Sequence, residues 1–477
     1  MQLLTGIVAF SGLLITATAS AQGTGSALAD SLQLAGYEGQ YQYRDGDTLT
    51  IVADRGRVVA VLDEAKYPLR AVAVDTFMNG SGDRIPFLRD ATGRVTAFRE
   101  RGDTFTRLSA TVPREVRGLL QARTVPVDGS LPRYRCAAPA NAADGLRVAT
   151  PGRATLPCEV AARLVDGVID GVYPDVRALL VYHKGVLVLD EYFYGYDRDR
   201  PHQMRSLTKS VVAMTTGAAV DRRMSALDDR MLDRLGYQTT ANPDPRKARI
   251  TLQDLLTNQS GLACDDHDGA SPGNETKLYE SADWPRAFVD LPMIAEPGTV
   301  GRYCSFGILT AGRMVERATG KHLPRLANEV LFTPLGIKPT QWRWTFELDR
   351  SQRNDFGQVY LRPRDMLKLG VLVLQRGRWQ GRQVLSETWI DAMTAKHSRV
   401  DDSDYGLAVW HRWYNVPKAN GSQRVETIMF SGNGGQKVYI VPSLDLVVVF
   451  TGGAFNVESP VNTMMAGVLL PAFLPGP

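Results

Sequence analysis

Histidine and cysteine are scarce in this chain, at six and four of 477 residues. No histidine is therefore marked out as the base of a catalytic triad. No Cys-x-x-Cys occurs, and the cysteine spacing fits no zinc site. No internal apolar run reaches the roughly 20 residues that a spanning helix needs, and neither a fixed-period repeat nor a heptad pattern is present. A polytopic membrane protein, a solenoid and a coiled coil are excluded. Lys and Arg give a net charge of +4 but are dispersed, with no motif for reading nucleic acid beside them, so nucleic acid is not an expected partner. The nearest approach to a ligand cluster is His267 with Asp265, Asp266 and Asp268. A polar run beside Gly269 and Pro272 reads as a solvated loop, and neither a metal nor an organic cofactor is expected.

What is present is an ordinary globular composition, 44% hydrophobic and 22% charged, over a length that suggests two domains plus accessory segments. Residues 1–21 read as an export signal. An apolar run from Leu3 to Ile15 precedes Ala19-Ser20-Ala21, an A-x-A cleavage pattern, and the mature chain is expected to start at Gln22. No Lys or Arg precedes the run, and an uncleaved anchor is the alternative reading. A periplasmic or secreted location follows, with no membrane span in the mature chain. Export brings oxidising conditions, and the cysteines fall into two local pairs, Cys136 with Cys158 and Cys264 with Cys304. Two disulfides in that pairing are expected, although four cysteines allow three pairings.

From about Leu32 to Leu108, short runs such as Thr48 to Val52 and Arg57 to Leu62 are punctuated by Asp45-Gly46, Gly56 and Gly93. They read as successive strands of a small antiparallel barrel or sandwich within residues 22–122. The pattern resembles the lipocalin-like accessory domain fused to some hydrolases, with a binding or lid role and a structural role both open. Residues 123–158, rich in Pro, Ala, Gly and Arg, read as a linker. A second domain, 159–477, opens with a helix carrying Val160, Leu164, Val165 and Val168 on one face. A hairpin follows, Ala178 to Tyr182 and Val186 to Tyr192 around His183-Lys184-Gly185. Strands at Lys437 to Val441 and Leu446 to Thr451 and a helix from Val461 to Phe473 close the chain. Strands at both ends with mostly helical sequence between them predict an α+β domain: one antiparallel sheet with a helical lobe inserted.

The chemistry is densest at Met204-Arg205-Ser206-Leu207-Thr208-Lys209-Ser210. A helix starting here would carry Ser206 and Lys209 at i and i+3 on one face, so the two side chains can meet. Free N–H groups at a helix start stabilise a developing oxyanion, and a desolvated lysine has a lowered pKa and can accept the serine proton. Gly269-Ala270-Ser271-Pro272-Gly273 offers a rival, the G-x-S-x-G string. That motif needs a buried strand before the serine and a helix after it, and the flanking sequence supplies neither.

His202 to Ser210, following the Ala178 to Tyr194 hairpin, is similar to the nucleophile region of β-lactamase-related serine hydrolases: class C β-lactamases, D-alanyl-D-alanine carboxypeptidases, esterases and amide hydrolases. Ile250 to Leu262, Pro297-Gly298, Tyr303-Cys304-Ser305, Glu316 to Gly320 and Pro334 to Ile337 continue the likeness in the family's order, over roughly residues 160 to 470. The resemblance implies a β-lactamase and penicillin-binding-protein-like fold, with Tyr303 sharing the general-acid and general-base work with Lys209. Ser305 stands where the family commonly has asparagine. The third motif, Lys-Thr-Gly or His-x-Gly elsewhere, aligns with Phe430-Ser431-Gly432 and has lost its cation or imidazole. In that alignment Ser431 remains a polar contact, and the N–H of Asn433 joins that of Ser206 as oxyanion donor. The expectation is a serine hydrolase forming an acyl-enzyme on an ester, amide, D-amino-acid peptide or β-lactam, its partner a small-molecule or peptide substrate. The alternative is a catalytically weak or inactive peptidoglycan- or ligand-binding member of the same fold.

Overall fold

Eight strands follow one another between Gly39 and Ser109: β1 (Gly39–Gln42), β2 (Thr48–Asp54), β3 (Arg57–Leu62), β4 (Ala65–Ala73), β5 (Thr76–Met78), β6 (Arg84–Arg89), β7 (Val95–Glu100) and β8 (Asp103–Ser109). Each pairs antiparallel with the next, and β8 returns to β1, closing a barrel. Closure leaves no strand edge unpaired, which suits eight short strands joined by tight turns. Gly56 and Gly93, two of the expected turn residues, have φ of +76° and +82°, open to glycine at no steric cost. The barrel centre is filled with rings: Tyr37 lies 5.0 Å from both Phe77 and Phe87, and Phe98 lies 5.1 Å from Phe105, centroid to centroid. The Tyr41 hydroxyl donates to the Tyr37 carbonyl oxygen at 2.7 Å, so this buried phenol is satisfied.

This computed structural model describes residues 34–43, 46–54, 56–62, 64–123, 132–279, 281–346, 357–418 and 421–474. The export signal expected over 1–21 and the start at Gln22 lie outside the described residues. The chain divides into two units at Leu120/Gln121.

The second unit is built on an antiparallel sheet of β9 (Val176–His183), β10 (Val186–Tyr192), β11 (Ser398–Val400), β12 (Ser403–Tyr405), β13 (Trp410–Lys418), β14 (Gly421–Gly432), β15 (Gln436–Val441) and β16 (Leu446–Gly452). Their order is β10-β9-β16-β15-β14-β13-β12-β11. The expected hairpin and the two last strands meet at the centre, where β16 pairs with β9 from Leu446↔His183 to Thr451↔Ala178. Strands β11 to β14 were not legible in the sequence. In β13 and the first half of β14, Arg412, Asn415, Gln423 and Arg424 face solvent and dilute the alternation that marks a half-buried strand.

The first helix of the unit, α1 (Cys158–Ile169), buries Leu164, Val165 and Val168, as its spacing predicts, while Val160 stays partly exposed. Helix α2 (Thr208–Asp221) buries twelve of its residues, so it forms the middle of the helical lobe rather than an amphipathic cover. Helices α3 (Leu252–Leu256), α4 (Glu275–Leu278) and α5 (Ser305–Thr319) build the lobe around it, and α6 (Pro363–Leu374) lies on the sheet. Alanine at Gly370 would bring a Cβ within 2.6 Å of Val438, which is how closely α6 approaches β15. The C-terminal helix is present from Val461 to Phe473, with a π-helical stretch at Met465–Leu469.

From residue 132 on, the stretch expected as a linker is irregular and tied to the second unit. Val148 bridges Leu187, and the buried Arg364 guanidinium binds Asp190 at 2.7 Å, Asp144 at 3.3 Å and the Ala140 carbonyl at 2.7 Å. Both expected disulfides are formed, Cys136–Cys158 and Cys264–Cys304.

Candidate active site

Ser206 lies in a single 3₁₀ turn, Arg205–Leu207, that leads directly into α2. A short strand pins the turn from both sides: the Met204 N–H donates to the Val359 carbonyl at 2.9 Å, and the Val359 N–H donates to Thr208 Oγ1 at 3.0 Å. Arg205 has φ of +52°, a left-handed conformation that costs a non-glycine residue about 1–3 kcal/mol and gathers at functional sites. One turn on, Lys209 Nζ donates to Ser206 Oγ at 2.8 Å. The Lys209 side chain is buried. Burial pushes its pKa below the ordinary lysine range, against the pull of the Asp266 and Glu275 carboxylates. A small cavity beside the pair is lined by Arg205, Thr208, Tyr279, Ser305 and Ile308.

Tyr303 reaches the same point from the other side of the lobe, where its phenol interacts with Ser206. Burial raises the pKa of the phenol. The Ser206 contact opposes that shift, and the carboxylates of Asp266, Glu275 and Asp401 add to it. Lys209 Nζ sits 4.7 Å from the Tyr303 ring centroid. The ring stacks on His267 at 5.2 Å and packs against Trp410 at 5.4 Å. The backbone is held as firmly: Asn258 Oδ1 accepts from the Cys304 N–H at 3.2 Å, the Tyr303 carbonyl accepts from the Asp266 N–H at 2.8 Å, and Cys264 is bonded to Cys304. The Ile250 to Leu262 segment, recognised by its motif, thus has a physical role, since Asn258 within it and Cys264 just beyond its end seat the tyrosine.

Ser305 opens α5. Its hydroxyl lies 2.6 Å from Asp266 Oδ2 and 3.0 Å from Glu275 Oε2, and its N–H donates to Asp266 Oδ2 at 2.7 Å. Asp266 therefore departs from the solvated-loop reading. Although His267 and Asp268 are exposed, Asp266 turns inward, and burial, opposed by Lys209 and reinforced by Glu275, pushes its pKa up to about 6. Among the described residues no three His, Cys, Asp or Glu side chains converge as metal ligands.

The third motif ends β14. Pairing with β13 stops at Met429↔Trp410, while pairing with β15 runs on to Gly432↔Gln436. A Cβ at Gly432 would lie 2.2 Å from the Met204 carbonyl oxygen and 3.1 Å from Arg205 Cβ, so glycine is what lets this strand end touch the Ser206 turn. Gly432→Ala is expected to lower kcat/KM by about tenfold or more, because the turn must move to admit the methyl group. Steady-state kinetics with circular dichroism checks it, and wild-type kinetics in a folded variant would show that the turn tolerates the shift.

Ser431, one residue earlier, points to the opposite face of the sheet, since side chains alternate along a strand. There its hydroxyl accepts from Lys437 Nζ, its register partner on β15. The sequence reading missed this cation, whose pKa is pushed down to about 8 by burial and then by Arg412. The Asn433 side chain accepts from the Asn456 N–H at 3.0 Å, tying the turn to the loop after β16. In that loop the Phe455 ring lies 4.7 Å from the Arg205 guanidinium. The rival Ser271 has no strand before it, and its hydroxyl donates to the Ala263 carbonyl and accepts from the Asp265 N–H, both at 3.1 Å.

The chain is 32% identical over 139 residues to penicillin-binding protein 4 of Amycolatopsis lactamdurans and 28% identical over 149 residues to esterase EstB of Burkholderia gladioli. Each match covers 29% of this chain, and the matches cover 35% and 38% of those two proteins, so the chain spans little more than a third of the length of these curated relatives. In fold, a penicillin-binding-protein homologue from Caulobacter crescentus superposes with a TM-score of 0.51 at 16% identity, over 69% of this chain and 99% of that one. EstCE1, a hydrolase with promiscuous acyltransferase activity, superposes with a TM-score of 0.50 at 16% identity, over 65% and 96%. The Beta-lactamase family model matches residues 160–460, which takes in the nucleophile turn, the tyrosine loop and the end of β14. By that match the chain belongs to the Beta-lactamase family of β-lactamase-related serine hydrolases.

Proposed function

We propose that this protein hydrolyses an ester or amide through an acyl-enzyme on Ser206. The observation that carries this reading is the 2.8 Å hydrogen bond from a buried Lys209 Nζ to Ser206 Oγ, with the Tyr303 ring 4.7 Å from the same Nζ. In the first step Ser206 Oγ bonds to the substrate carbonyl carbon as its proton passes to Lys209 in the neutral amine form. Tyr303 completes the path by which that proton reaches the leaving oxygen or nitrogen. In this scheme the oxyanion is held by the N–H groups of Ser206 and Asn433, and Gly432, next to Asn433, packs against the Met204 carbonyl. Water enters by the reverse path and releases the acid. No cofactor takes part in this scheme.

Substrate choice follows from the third motif. Phe430 occupies the position where relatives carry a cation or imidazole, and the nearby Lys437 is engaged by Ser431 on the other sheet face. A substrate carboxylate such as that of penicillin has no matched partner in that arrangement, which favours neutral esters and amides. Two disulfides and the expected export signal fit a periplasmic or secreted setting, and no described helix is long and apolar enough to cross a membrane. Hydrolysis of a panel of a small ester, an amide and a β-lactam by wild type and Ser206→Ala tests the reading. Turnover of the ester or amide that vanishes in the variant supports it. No turnover, with no labelling by an acylating probe, replaces it with the ligand-binding alternative.

A further inference from the structure

Two carboxyl groups in the wall of the site have no part in the acyl-transfer scheme. Asp266 and Glu275 stand on either side of the Ser305 hydroxyl, at 2.6 and 3.0 Å. A serine hydroxyl has one proton, so it can donate to only one of them. The other short oxygen–oxygen contact needs a proton of its own, carried by a carboxyl group. Further donors crowd the same oxygens: the Ser305 N–H on Asp266 Oδ2 at 2.7 Å and the Tyr279 hydroxyl on Glu275 Oε2 at 3.1 Å. Among the described residues Asp266 Oδ1 is buried without a partner, a costly state for a full negative charge and a milder one for a shared acid.

We propose that Asp266 and Glu275 hold one proton between them across Ser305, and that Asp266 is thereby the positioning residue that fixes the start of α5 and sets the charge on Lys209. The inference rests on the serine-hydrolase reading of the same site. In most of the family an amide follows two residues after the tyrosine, whereas here a serine backed by two acids fills that place.

The groups facing Asp266 come from every element around it. They are Lys209 from α2, Tyr303 and Ser305 from the tyrosine loop and α5, and Glu275 from α4 with Tyr279 just after it. Arg205 acts on Tyr279 from the nucleophile turn, and Asp401 faces Tyr303 beside His267. Lys209 is the cation that Asp266 stabilises. An ionised Asp266 favours the ammonium form of Lys209, so it delays the appearance of the neutral amine as pH rises. Burial acts in the opposite direction. The carboxyl pair therefore places the pH at which the nucleophile gains its base, and the raised pKa of Asp266 limits how much negative charge is present below neutrality.

The test is the pH profile of kcat/KM for hydrolysis of a small activated ester by the full chain. Asp266→Asn keeps an oxygen to accept from the Ser305 N–H and hydroxyl, but carries no charge, so the pair's one negative charge passes to Glu275. Its acid limb is expected to move down by about one pH unit, so that one unit below the wild-type midpoint the variant runs at about a fivefold larger share of its own plateau. Glu275→Gln leaves the pair's one negative charge on Asp266 alone, so its limb should move up slightly rather than down, and it serves as the second variant if Asp266→Asn does not fold. Asp266→Ala loses the acceptor as well and should depress the plateau, with partial rescue in Asp266→Asn. An acid limb unmoved in Asp266→Asn, or moved down in Glu275→Gln, while an acylating probe still labels Ser206, overturns the proposal. Absence of that labelling in the wild type overturns instead the hydrolase reading beneath it.

Discussion

Ser206→Ala is expected to lower kcat on the order of 10⁴-fold or more, as loss of an activated nucleophile does elsewhere. Ser271→Ala should stay within a few-fold of wild type, and the contrast decides between the two candidate nucleophiles. Ser206 is bonded to a buried amine at 2.8 Å. Ser271 spends its hydroxyl on two backbone partners of its own loop. Its removal should therefore appear as lost stability, about 1–3 kcal/mol for the polar groups left unpaired, read as a lower Tm. Lys209→Ala should fall nearly as far as Ser206→Ala, and the double variant little further, because the two residues act as one unit. Steady-state kinetics on the four proteins is the measurement. A Ser271→Ala variant more impaired than Ser206→Ala would rule the assignment out.

The second large effect is expected at a disulfide. Cys264→Ser should reduce kcat by about a hundredfold, the cost on the order of which a catalytic group misplaced by about 1 Å incurs. Cys304 lies between Tyr303 and Ser305, and Cys264 lies two residues before Asp266, so this one bond fixes the tyrosine to the loop bearing the acid. Cys136→Ser removes a bond far from any reacting atom in the chain and should cost stability, about 2–4 kcal/mol, with kcat unchanged.

Chain entropy alone does not separate the two cases. Loops of 40 and 22 residues differ by about 0.5 kcal/mol in closure cost. A difference in kcat between the variants must then come from geometry. Both should be assayed well below their melting temperatures, and wild-type kcat in a folded Cys264→Ser protein would show that the backbone bonds from Asp266 and Cys304 hold Tyr303 unaided.

Much of the fold was legible because its signals are local. The barrel strands announced themselves by short runs between turn residues, the β9–β10 hairpin by two apolar runs around Lys184-Gly185, and α1 by its 3.6-residue spacing. The Ser206–Lys209 contact needed only three residues of helical spacing. Strands β11 to β14 escaped because a strand exposed on one face and rich in Arg and Gln carries little periodic apolar signal. The strand pattern left a barrel and a sandwich both open, and the structure closes eight strands into a barrel whose filling of rings the pattern did not show.

For the site, the sequence by itself determined which residues could react: a serine and a lysine one turn apart, a tyrosine in an ordered motif, and cysteines near enough to pair. Only the tertiary structure decided their surroundings. Asp266 looked like part of a solvated acidic run, and it became an inward-facing acid because Ser305, 39 residues away, offers it a hydroxyl and an N–H. Gly432 acquired its meaning from the Met204 carbonyl, and Ser431 turned from the nucleophile's turn to Lys437 because strand alternation sends neighbouring residues to opposite faces. The physical reason is that reactivity begins with side-chain chemistry and short helical spacing. Burial, charge and approach distance are set by contacts between segments far apart in the chain, such as the Ser210 hydroxyl on the Ala408 carbonyl 198 residues on.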